Sequence, residues 1–210
     1  MDGGKNLRLI SFGDEYCTKN TAADMVANLL GYKFVDQAHP IMTNARIFRD
    51  VVRYTTEHNY EDCVFLIGWT TPYRMDAEHG GEYFVYSPDI KTYPSRAYNK
   101  LHKYDGYLFD EILINNTWVG LAYGLQEYLL NLNVRYFMYN TQENIMFNTH
   151  TRQTLKNLNG RLYHNPLNKG STMLYHLKQQ GYHTIDNLAH RVWADFIIQK
   201  LRAGGVIERP

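Results

Sequence analysis

The sequence is short of most features that would assign a function by themselves. Only two cysteines, Cys17 and Cys63, occur among 210 residues; they lack metal-type spacing and are too few to staple a chain of this length. Free thiols and a reducing compartment are therefore expected. Charge of one sign is also missing. Lys and Arg number 22 against 21 Asp and Glu, a formal net charge of +1 that offers no basic field to nucleic acid and no acidic tail. No apolar run approaches the roughly 18 residues that a membrane span requires. The stretch MDGGKNLRLISFG lacks the apolar stretch and small-residue cleavage site of a secretory leader. These absences predict neither a nucleic-acid nor a membrane partner, and no secretion by signal peptide. The nine histidines include no H-E-x-x-H pair, so neither a metal nor another cofactor is expected.

What the chain does have is aromatic content, 14% of residues with 18 tyrosines, and an alternation of strand and helix patterns. Leu7 to Phe12 reads as a strand closed by Gly13. Asn20 or Thr21 can cap a helix that Gly31 stops, and Tyr32 to Val35 makes a second strand. Thr43 or Asn44 can cap a long helix with Ala45, Phe48, Val52 and Thr55, flanked by Ile47 and Val51, on one face, ending near His58. The continuous apolar run Cys63 to Ile67 predicts a strand buried on both faces, at the centre of the sheet.

Beyond it the pattern loosens. Residues 69–107 carry Pro72, Pro88 and Pro94 among tyrosines and read as a long excursion with a short hairpin at Glu82 to Tyr86. Leu108 to Asn131 is helical in pattern, with Val119, Tyr123, Leu125, Leu129 and Leu130 recurring, and Val134 to Tyr139 is the fourth strand. Residues 140–168, rich in Asn and Thr, form a second insertion that can serve as lid, loop or partner surface. Ser171 can cap a short helix, and Asn187 to Arg202 the last one, with Leu188, Val192, Trp193, Phe196, Ile197 and Leu201 inward. The alternation predicts one α/β domain over residues 1–210, a three-layer α/β/α sandwich with a mostly parallel central sheet of flavodoxin-like type. Such sheets place their sites beyond the carboxyl ends of the strands.

Three blocks follow those ends, ISFGDEYC from Ile10, AHPIMTNARIFR from Ala38 and IGWTTPYR from Ile67, and a fourth, HRVWADFI from His190, lies in the last helix. Their order and spacing resemble the SGNH (GDSL-like) hydrolases, and within them the phage-encoded group. The resemblance implies a serine nucleophile after the first strand, an oxyanion glycine in the second block, an asparagine in the third, and a C-terminal D-x-x-H. In this chain the serine position holds Glu15, the glycine falls at Pro40 or Ile41, and the asparagine corresponds to Thr70. Isoleucine resists the positive φ of a glycine turn, and proline has no N–H to offer. Anchoring on His190, Trp193 and Ala194 puts the catalytic histidine at Thr184 and its aspartate at Gly181; a one-residue insertion would let His183 serve, with Asp186 nearby.

The degenerate catalytic positions are thus Glu15, Thr70 and His183. Candidate ligand-binding residues at the same strand ends are Asp14, Asn44, Arg46, Trp69, Tyr73 and Arg74, with a packing role for Trp69 and an Arg74–Asp76 ion pair as the structural alternatives. The expectation is a scaffold that has lost the Ser-His-Asp machinery and acts by binding, as a phage virion or assembly component or as a module sequestering a small molecule or carbohydrate. Host cytoplasm or virion is the corresponding location, and an oligomer is compatible with it. The alternative is an esterase or deacetylase that regroups Glu15, Cys17 and His183.

Overall fold

In a computed structural model, described here for residues 7–79, 82–87, 111–141, 162–163 and 172–208, the chain forms a mostly parallel sheet between two helical layers. Strands β1 (Arg8–Phe12), β2 (Lys33–Asp36), β3 (Cys63–Trp69), β6 (Arg135–Asn140) and the two-residue β7 (Leu162–Tyr163) pair in the order β2-β1-β3-β6-β7. All four pairings are parallel. β3 lies at the centre and every one of its residues is buried, as its uninterrupted apolar run requires.

The period-two geometry of the strands divides their side chains between two cores. Ile10, Phe12, Phe65, Ile67, Tyr136 and Met138 face one side, with helix α2 (Asn44–Glu57) and helix α3 (Glu111–Asn131) packed over them. Leu9, Val64, Leu66, Phe137 and Tyr139 face the other, under α1 (Ala22–Leu30), α4 (Met173–Gln179) and α5 (Asn187–Ala203). The result is a three-layer α/β/α sandwich.

Helix ends follow the local chemistry. Thr43 accepts from the Arg46 amide at the start of α2, and Gly31 closes α1 in the left-handed conformation at φ 69°. Thr172, rather than Ser171, caps α4. Asp186 caps α5 through the Ala189 amide at 2.9 Å.

Several faces differ from the sequence expectation. The buried stripe of α2 is Ile47, Val51, Tyr54 and Thr55, so Thr55 and the two residues expected to flank the face are buried, while Ala45, Phe48 and Val52 are only partly so. In α3 Val119, Leu125 and Leu129 are buried as expected and are joined by Trp118 and Ala122, while Tyr123 and Leu130 are exposed; in α5, Leu188 points to solvent. Glu82–Tyr86 (β5) is the second arm of a hairpin whose first arm is Met75–His79 (β4). Within the expected second insertion, β7 extends the sheet. The rest of that insertion, 142–161 and 164–168, and residues 80–81 and 88–107 of the first, lie outside the described residues.

Candidate functional site

The strand order reverses direction of growth between β1 and β3, and the crevice beyond their carboxyl ends is where an open parallel sheet exposes loop residues to a ligand. Three segments meet there: 13–17 after β1, Thr70–Arg74 after β3, and Thr141 after β6. The glycines make the approach possible. A Cβ on Gly68 would clash with Cys17 Sγ and stand 2.9 Å from Thr141 Cγ2, and a Cβ on Gly13, at φ 147°, would lie 2.6 Å from the Gly68 carbonyl. Cys17 fills the space that both leave open. Its thiol is buried 3.3 Å from the Tyr139 hydroxyl, and burial pushes its pKa well up, so it stays protonated and unreactive.

Glu15 is held by three donors. Arg74 Nη2 donates to Oε1 at 3.0 Å and Nη1 to Oε2 at 3.3 Å, a forked guanidinium–carboxylate pair, and the Ile41 amide donates to Oε2 at 3.3 Å. The Glu15 side chain is 37% exposed and that of Arg74 only 10%. Burial raises the Glu15 pKa, but Arg74 and the backbone amides, Ile41 among them, together more than offset it, and the net direction is down.

Ile41 reaches this position at φ 58°, in the left-handed region. The resistance of a β-branched residue to positive φ is overcome here, at a cost of about 1–2 kcal/mol.

Asp14 is fully buried behind Glu15. Its Oδ1 accepts from the Tyr16 amide at 3.1 Å and its Oδ2 from the Thr141 hydroxyl at 2.9 Å, while Arg74 Nη1 stands 3.8 Å away. The Thr70 hydroxyl is a further partner. Burial, then the charge of Glu15, push the Asp14 pKa up to about 6. The Thr141 hydroxyl also lies 3.0 Å from the Trp69 carbonyl, and its single hydrogen cannot serve both acceptors. While Asp14 is ionised Thr141 donates to it, which offsets part of the upward shift; a protonated Asp14 can donate to Thr141 and leave that hydroxyl's hydrogen to Trp69.

The remaining expected residues divide in two. Asn44 is buried and grips the end of β3 from the first turn of α2: Nδ2 donates to the Thr70 carbonyl at 3.0 Å, and Oδ1 accepts from the Thr70 amide at 2.9 Å. Thr70 is therefore committed to Asn44 and Asp14 instead of facing an open rim. Trp69 is fully buried in the core. Tyr73 is half-buried in the turn, its amide 3.4 Å from Thr71 Oγ1.

Arg46 is exposed, and its side chain makes no hydrogen bond or ion pair among the described residues. His183 is exposed in the turn after α4 and likewise has no such partner. Asp186 spends its carboxylate on the α5 cap. Gly181 stands at φ 86°, where glycine ends α4, so an aspartate would be strained there. The sequence alternative of an Arg74–Asp76 pair does not form: Asp76 binds Arg49 at 2.7 Å, and Arg74 turns to Glu15.

No family model and no curated protein matches this chain. Among the described residues there is no catalytic triad and no group of three potential metal ligands, and no helix is long and apolar enough to cross a membrane. Chemically, the rim offers a forked cation and one directed amide, already engaged by a carboxylate. Glu15, Cys17 and His183 do not form a hydrogen-bonded set.

Proposed function

We propose that this protein is a single-domain SGNH-hydrolase-like scaffold of phage type that has lost hydrolysis and acts by binding. The strand order is that of flavodoxin-like sheets, which supports the reading, and Asp14, Glu15 and Thr70 follow the first and third strands, where the first and third blocks lie. One observation carries the reading. Where that family launches acyl transfer from a hydroxyl, this chain places a carboxylate locked by Arg74 and the Ile41 amide, with no imidazole among its partners. A negative group at that point opposes the negative charge an acyl-transfer transition state develops.

A virion or assembly component, or a module that sequesters a small molecule, in the host cytoplasm or virion, is the role this chemistry fits. The test is hydrolysis of short acyl esters by the full chain beside Glu15→Ala and His183→Ala. No turnover above the buffer rate is expected from any of the three. Turnover by the wild type that both substitutions abolish would establish a rearranged esterase instead.

A further inference from the structure

Arg74 belongs to two features at once. Its guanidinium holds Glu15, and the residue also forms part of the wall of a half-open cavity of about 500 Å³ between the start of α2, the β3–β4 turn and α3. The rest of that wall is mostly apolar: Pro72, Met75, Leu113, Ile114, Trp118 and Leu121. At its edge Arg49 pairs with Asp76 at 2.7 Å inside the wall, so among the described lining residues Arg74, held by Glu15 and with Asp14 3.8 Å away, is the cation whose partners lie outside the wall.

We infer that Glu15 is a tethered occupant of a carboxylate site, and that the cavity beside it takes the apolar body of a ligand whose own carboxylate displaces Glu15 from Arg74. The receptor half is pre-organised. The fork of Arg74 is nine-tenths buried, and a backbone strained at Ile41 aims its amide at the same oxygen. The occupant half is the looser one: Glu15 is over a third exposed, and its carboxylate can swing into water, where its hydration replaces the pair it leaves.

The tether decides the ligand class. A carboxylate on the protein's own chain competes at an effective concentration on the order of millimolar or more. A simple anion such as acetate makes the same contacts with none of that advantage and does not displace it. A ligand wins only by adding contacts, and the contacts on offer beside Arg74 are apolar. An amphipathic carboxylate, such as a medium-chain fatty acid, meets both requirements.

This inference rests on the rim being a binding site and not a reaction centre, and its test is an equilibrium titration that ester turnover does not enter. The full chain is titrated by calorimetry with decanoate below its micelle concentration, with decanol and with acetate. Decanoate is expected to bind at one site at least about tenfold more tightly than decanol, and acetate not to bind.

Glu15→Ala, or Glu15→Gln if the alanine variant does not fold, should tighten decanoate at least about tenfold and leave decanol unchanged, because the competitor is gone. Arg74→Gln should erase the preference for decanoate over decanol. If that variant does not fold, Arg74→Lys, which keeps the charge but cannot make the fork, should narrow the preference for decanoate over decanol. Equal binding of decanol and decanoate, no tightening on removal of the Glu15 charge, or no decanoate binding at all would overturn the inference. Absent decanoate binding with absent ester turnover sinks this inference alone and leaves the binding reading standing.

Discussion

Replacing Asp14 by asparagine should remove a large part of the protein's pH dependence between pH 4 and 7. Asp14 is fully buried and its pKa in the folded protein is about 6, against 3.8 for the free side chain. A carboxyl whose folded value stands above its unfolded value favours the folded state when protonated. Its contribution is complete below 3.8 and is lost as pH rises through about 6. Each pKa unit corresponds to about 1.4 kcal/mol, so the full effect is about 3 kcal/mol, of which about 2 kcal/mol is present by pH 4.

Asparagine keeps the shape and supplies a permanent N–H toward Thr141, imitating the protonated acid. Glu15 works in the opposite direction: its pKa is lowered, so its contribution is present above its unfolded value and fades as pH falls through the folded one. Urea unfolding of both proteins at half-unit steps from pH 4 to 8 separates the two, because Glu15 is common to both. The stability of wild type relative to Asp14→Asn should climb by about 2 kcal/mol from pH 7.5 to pH 4. A difference that stays flat across that range would refute the assignment of the raised pKa to Asp14, and with it the proton-sharing arrangement through Thr141.

Two further outcomes test the packing of the rim. Gly68→Ala should cost about 1–3 kcal/mol by overpacking against the Cys17 sulfur, and adding Cys17→Ala should recover part of the loss, a coupling that a double-mutant cycle in urea measures directly. Ile41→Gly should stabilise the fold by about 1 kcal/mol, since it relieves the strain at φ 58° while sacrificing a side chain that is already 38% exposed; thermal unfolding reads the sign.

The sheet was legible in the chain because its signals are local. CVFLI is apolar throughout and becomes the central strand, and LRLISF ends at a glycine that must turn. Helix faces were harder. In α2 two stripes one residue apart, one through Phe48 and one through Ile47 and Val51, both satisfy helical spacing, and only the sheet beneath selects between them. In α3 apolar residues surround the helix, so period alone cannot choose a face.

At the site, the block positions of Asp14, Glu15 and Thr70 were readable, but their partners were not. Asp76 is two residues from Arg74 in sequence, yet Arg74 binds Glu15 fifty-nine residues away. Nothing short of the folded loop reveals that choice. Ile41 was hidden for the opposite reason: its intrinsic preference argues against the conformation the fold imposes, and no local signal announces such strain. The packing of Cys17 between two glycines had the same character, since Gly68 is far from it in sequence and meets it only in space.

The two-way grip of Asn44 on Thr70 has a kinetic consequence. Because both backbone polar groups of Thr70 are pinned to the first turn of a long helix, the turn carrying Arg74 cannot slide without dismantling buried amide pairing. Any opening of the rim must then run through rotation of a single glutamate side chain, a step of picoseconds to nanoseconds once its ion pair lets go, rather than through a slow backbone rearrangement. Visitors to this surface would find the door hung on one torsion.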